Sequence, residues 1–184
     1  KLSAQVIGVE YRKDLVEQCN GIAKAAGFKQ LQFVEGSIAD YDCSGADVVI
    51  ALHACDTATD DAIAKAVKAN ASLIVVAPCC HKQIRKAMGK VAADHALAPM
   101  LKFGTYEERM GEMVTDALRA QLMELSGYST NLFEFISDAH TPKNVMIVAT
   151  KTAKRFDEAK LRAGIARTKA EFGIAQHYLE TLLA

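Results

Sequence analysis

The feature that most constrains this chain is an alternation between short, continuous apolar runs and segments with helical spacing. "AQVIGVE" is an apolar run ending in an acid. "YRKDLVEQCNGIAKAAGF" follows it, with Leu15, Cys19, Ile22, Ala23 and Ala26 at helical spacing and Gly27 as a stop signal. "LQFVEGSIADYD" reads as a second strand and a polar loop, and "ADVVIALHAC" as a third strand. "TATDDAIAKAVKANA" reads as a helix with Thr57 and Asp60 in capping-box register, and "SLIVVAPCCH" as a fourth strand. Uninterrupted apolar runs predict strands buried on both faces. Strands alternating with helices predict right-handed crossovers and a parallel sheet covered by helices on both sides.

After the fourth strand the pattern changes. "TYEERMGEMVTDALRAQLMELSGY" opens with Thr105 and Glu108 in capping-box register. It then carries Met110, Met113, Val114, Ala117, Leu118, Leu122 and Leu125 on one face and stops at Gly127. "NLFEFIS" and "NVMIVATK" are β-rich runs separated by "DAHTPK", in which Pro142 and polar residues make a turn. Strands this close must be antiparallel, because a parallel crossover needs about a dozen residues. Arg155 to Ala184 reads as one amphipathic helix weakened by Gly164 and Gly173, with Leu161, Ile165, Phe172, Ala175, Leu179 and Leu182 near one face. It packs on the domain, on a further segment or on a second copy. The domain assignment is 1–152 for the α/β unit and 153–184 for the helical tail.

Composition narrows the function classes. The chain has 184 residues, enough for one domain with a full core. Its 22 basic and 22 acidic side chains cancel, so no global field gathers nucleic acid or anionic lipid. Any nucleic-acid contact must be local. Lys102, Arg109, Arg119, Lys143 and Lys151 can form a basic rim, but Glu107, Glu108 and Glu112 interleave with them and favour a solvated helix face. No apolar run approaches the roughly 18 residues of a membrane span, and no signal peptide opens the chain, which predicts a cytoplasmic protein. An odd number of cysteines, five, without regular spacing predicts thiols rather than disulfides. The first residue is Lys, which reads as a chain beginning partway into a longer product.

Four stretches, "ALHACDTATDDA", "VAPCCHK", "ERMGEMVTDALR" and "HTPKNVMI", together with the order of parallel strands and then a hairpin, resemble one group of S-adenosylmethionine (SAM) dependent methyltransferases. That group includes proteins related to tRNA ribose 2′-O-methyltransferases. The resemblance implies a Rossmann-like class I α/β fold, with a mostly parallel sheet and a C-terminal antiparallel hairpin. A complete domain of this kind begins with a strand and a glycine-rich E/D-x-G-x-G-x-G loop, yet no G-x-G occurs in this chain. The resemblance therefore implies that "AQVIGVE" is the second strand of the full domain. The first strand and helix would come from an upstream segment, or their gap would be covered by a homo-oligomer.

By the same resemblance, Glu10 at the end of "AQVIGVE" is the ribose clamp, because a carboxylate accepts from both ribose hydroxyls. The competing role for Glu10 is an exposed acid that favours the following helix. Ser37 and Ile38 would give the adenine a polar contact and an apolar wall, against the plainer alternative of a generic loop, and Leu52 and His53 would complete the cofactor site. Neighbouring third and fourth strands would bring His53, Cys55, Asp56, Cys79, Cys80 and His81 to one edge. Cysteines after both strands also occur in enzymes that methylate C5 of pyrimidines in RNA, which makes Cys55 and Cys79 candidate nucleophiles. His53 and His81 are candidates to position or deprotonate a substrate hydroxyl. Packed thiols and hydrogen-bonded histidines are the plainer alternative. The spacing predicts no metal site, because adjacent Cys79 and Cys80 are poorly disposed to face one tetrahedral ion. The [N/D]-P-P-[Y/F] block of amino methyltransferases is absent, so the implied acceptor is oxygen or carbon in an RNA, a small molecule or a protein. A non-catalytic module that binds a nucleotide or a partner protein stays open beside the enzyme.

Overall fold

The structure, a computed structural model, describes residues 3–52, 54–88, 95–137, 141 and 143–184. His53 and Pro142, both singled out above, lie outside the described residues. The chain forms two compact units, Lys1–Asp42 and Cys43–Ala184. The tail from 153 onward falls within the second.

In the first unit, β1 (Val6–Glu10) and β2 (Leu31–Glu35) pair in parallel, with Glu10 opposite Glu35. The crossover between them is α1 (Lys13–Ala25), which ends where Gly27 adopts φ +78°. Gly8 lies opposite Phe33, whose ring occupies the space that a Cβ at position 8 would take. The backbone of Phe33 is otherwise satisfied by one side chain. Asn20 donates from Nδ2 to its carbonyl and accepts from its amide, both at 2.8 Å. A buried polar backbone without such partners would be costly.

The second unit contains a four-stranded sheet in the order β3-β4-β6-β5, formed by Val48–Leu52, Leu73–Ala77, Val145–Lys151 and Tyr128–Glu134. β3 and β4 are parallel, whereas β6 runs antiparallel to both β4 and β5. β3, β4 and β5 therefore run in one direction and β6 alone is reversed, and β5 and β6 form the expected antiparallel hairpin. Two described pairings are parallel and two antiparallel, in two separate sheets. The late hairpin inserts β6 against β4, so antiparallel pairing extends to the middle of the second sheet. Burial departs from expectation. β4 is largely buried, but β3 leaves Val48, Ile50 and Leu52 exposed on one face.

Helices α2 (Thr57–Lys68), α3 (Lys82–Met88), α4 (Ala98–Leu101), α5 (Gly104–Leu125), α6 (Glu158–Glu171) and α7 (Tyr178–Leu183) complete the unit. Its core joins Ile63 of α2, Ile74 and Val76 of β4, Ile84 of α3, Leu118 of α5, Tyr128 of β5, Ile147 of β6 and Leu179 of α7. The Tyr128 hydroxyl donates to the Ala71 carbonyl at 2.8 Å, which makes burial of this large ring tolerable. The tail is two helices rather than one. Gly173 sits at φ +65° and turns the chain, while Gly164 stays inside α6. Neither sequence-predicted capping box forms. Asp56 and Phe103 are the N-cap residues, Asp60 points inward, and Glu108 faces Arg85 and Lys143. Among the described residues no helix is long and apolar enough to cross a membrane.

Candidate functional site

Parallel pairing of β3 with β4, in the register Leu52 opposite Ala77, puts the segments leaving both strands side by side. This is the edge at which open α/β sheets place ligands. The sulfur atoms of Cys55, Cys79 and Cys80 all lie within 4.8 Å of one another there. Cys55 and Cys79 are 3.2 Å apart, and Cys79 and Cys80 are 3.8 Å apart. The chain at 78–80 has no regular structure, so adjacent side chains are free to turn the same way instead of alternating as in a strand. Cys79 and Cys80 therefore present their sulfurs to one side, contrary to the expectation from their adjacency. Burial first, and then the Cys55 and Cys80 thiols, push the Cys79 thiol up to about 12. It is protonated at neutral pH and in that state is a poor nucleophile.

Asp56 enters α2 at φ +53°, a strained conformation for a residue with a side chain. Two contacts hold it there and a third braces the backbone beside it. Its Oδ1 accepts from the Gln83 amide at 3.1 Å, its carbonyl accepts from Arg119 Nη2 at 2.8 Å, and the Thr59 hydroxyl donates to the neighbouring Ala54 carbonyl. Gln83 also binds the tail, accepting from the Tyr178 amide and donating to the Gln176 carbonyl. The loop after β3 is thus tied to the start of α3, and α3 to the chain entering α7.

Beneath the thiols lies a buried charge network that the sequence reading missed. Arg119 is 1% exposed and reaches both carboxylate oxygens of Asp60, Nε to Oδ1 at 2.8 Å and Nη2 to Oδ2 at 3.2 Å. Its Nη1 donates to Asp116 Oδ1 at 3.1 Å. The same Asp116 oxygen accepts from His81 Nε2 at 3.0 Å. Burial opposes the guanidinium charge, but the bond to Asp60 and the fields of Asp60 and Asp116 outweigh it and hold Arg119 above its ordinary value. Burial pushes Asp60 above the usual carboxylate range against the lowering by Arg119. With the guanidinium permanently charged and the fork bidentate, the pair is ionic at neutral pH. Arg119 is therefore part of neither a basic rim nor a solvated helix face. The rim is further broken by Lys143, which pairs with Glu108 and Glu112, and by Lys151, which lies over the Tyr128 ring. The available signal was an Asp and an Arg three residues apart on the same stretch of α5 that carries Leu118 and Leu122.

His81 is buried in this network, with Nε2 engaged and Nδ1 without a partner among the described residues. Its ring is oriented by Asp116, and little of it is exposed to solvent. In the first unit, Glu10 ends β1 half-buried, and its Oε1 accepts from the Arg12 amide at 2.9 Å just ahead of α1. Ser37 and Ile38 are half-buried in the loop after β2, where the Ser37 hydroxyl donates to Asp40 Oδ2 at 2.6 Å. Leu52 is exposed at the end of β3.

Residues 1–87 match the family model of a methyltransferase domain. The match supports a methyltransferase. It spans Glu10, Ser37, Ile38, Leu52, the three clustered thiols and His81, and it ends within α3. Among curated proteins, none matches the chain.

Proposed function

We propose that this protein is a SAM-dependent methyltransferase acting on an oxygen or carbon acceptor, with RNA as the first acceptor class to test. The observation that carries the reading is Glu10, a half-buried carboxylate at the carboxyl end of a parallel strand and within the matched stretch. One oxygen is fixed by the Arg12 amide, which orients the group and leaves Oε2 to accept from ribose hydroxyls. Ser37 and Ile38, half-buried in the loop after β2, would receive the adenine. SAM supplies the electrophilic methyl group. The finer fold reading is Rossmann-like, with a further strand and helix from an upstream segment or a second copy. The exposed apolar face of β3, with Val48, Ile50 and Leu52, supports it.

Calorimetry with SAM and its demethylated product, on this chain and on one extended upstream, tests the reading. Glu10→Gln should weaken binding roughly tenfold to a hundredfold, the worth of a charge-assisted hydrogen bond. Unchanged affinity removes Glu10 from the site, and no binding by either chain sinks the SAM reading. A second reading, a nucleotide-binding module without transfer, is favoured by the protonated Cys79 and the enclosed His81. Binding without methylation across RNA, protein and small-molecule acceptors would select it.

A further inference from the structure

The three thiols at the ends of β3 and β4 form a ligand set independent of any methyl transfer. We propose that Cys55, Cys79 and Cys80 bind a single thiophilic divalent cation of the Zn2+ type through three thiolates, leaving a fourth position open at the surface. An ion with sulfur ligands at about 2.3 Å in tetrahedral geometry sets those sulfurs about 3.8 Å apart. Cys79 and Cys80 already have that separation, at 3.8 Å. Cys55 and Cys79, at 3.2 Å, must open by roughly 0.6 Å to reach it, and the remaining pair is within 4.8 Å. The required movement is small, and Cys55, the exposed member, is the one placed to make it.

Access and charge agree with this assignment. Exposure of Cys55 beside half-buried Cys79 and Cys80 gives an ion a route from solvent and a partly dry seat. Three thiolates and a divalent ion leave one net negative charge. The N-terminus of α2, a helix of 12 residues that starts two positions after Cys55, lies on the side that favours such charge. Each thiol surrenders its proton to solvent as its metal–sulfur bond forms. His81 is not in the ligand set, because its Nε2 is held by Asp116. The ion would pin together loops whose cysteines are 24 residues apart in sequence. A disulfide between Cys55 and Cys79 would require closure to about 2.05 Å and would leave Cys80 unused.

The test uses the full chain, reduced and stripped of metal with a chelator, then titrated with Zn2+ against a chromophoric competitor and with Co2+ as an optical probe. The expected result is one equivalent of Zn2+, a Co2+ spectrum with thiolate charge-transfer and tetrahedral ligand-field bands, and a raised Tm. Cys55→Ser, Cys79→Ser and Cys80→Ser should each weaken Zn2+ at least about tenfold, while Cys19→Ser leaves it unchanged. Should a variant fail to fold, alkylation of the wild-type chain decides the matter. Zn2+ should shield Cys55, Cys79 and Cys80 and leave Cys19 labelled as before. Binding weaker than about 1 mM, an octahedral Co2+ spectrum, or shielding that omits any of the three thiols overturns the proposal.

Discussion

Replacing Arg119 with Met tests whether the buried network is held by charge. The substitution keeps an unbranched apolar stem but removes four donated bonds, two to Asp60, one to Asp116 and one to the Asp56 carbonyl. Two carboxylates, each at most 4% exposed, are left without their cation. Removing one partner of a buried pair costs about 3–5 kcal/mol, a large share of the roughly 5–15 kcal/mol that holds a domain together. Hydrogen exchange at amides of β4 and β6 reads this unit directly, so the first unit does not blur the result. Because burial raises Asp60, the folded state takes up this proton more readily than the unfolded chain does. The stability this gives is present at low pH and is lost as pH rises through the raised value. The penalty for Arg119→Met should therefore shrink on acidification. Asp60→Asn combined with Arg119→Met should cost less than the two changes summed, by about 0.5–3 kcal/mol. A loss below about 1 kcal/mol for Arg119→Met at neutral pH, or strict additivity, would refute the charge argument. Arg119→Lys, which keeps the charge but not the fork, serves if the Met variant does not fold.

His177 caps α7 by accepting from the Leu179 amide at 3.1 Å, and burial, with the Arg119 charge next, lowers it to about 4. Lys169 also lowers it, while Glu180 and Asp116 oppose. The unfolded chain then binds the proton preferentially, so stability should fall as pH drops from about 6.5 to about 4, by about 3 kcal/mol in total, and His177→Asn should flatten that slope in urea titrations. Gly173→Ala places a side chain at φ +65° between α6 and α7 and should cost about 1–2 kcal/mol by thermal melting, with no comparable loss for Gly164→Ala inside α6.

Much of the element plan was legible because it depends on local periodicity. The apolar runs ending at Glu10, Glu35, Leu52 and Ala77 became β1 to β4, and the stripe through Val114, Leu118 and Leu122 became the buried face of α5. Side-by-side loops after β3 and β4 followed from strand adjacency. Less was legible where a side chain had a local and a distant choice. Asp60 sits three residues after Thr57, as a capping box requires, but a guanidinium 59 residues away offers a stronger, desolvated bond. Met113 has the spacing of a core residue and is exposed, while Arg119 has the composition of a surface residue and is buried.

Sequence alone determined which segments can be strands and helices, because backbone period and apolar spacing are properties of neighbours along the chain. It also determined which chemistry the chain can bring to an edge: acids after strands, two cysteine-bearing loops and a histidine. Only tertiary structure decided how that chemistry is used. It set Arg119 between Asp60 and Asp116, turned His81 toward the same carboxylate, and drew three sulfurs into one cluster. These outcomes depend on desolvation and on distances between residues far apart in sequence, quantities that no local pattern encodes.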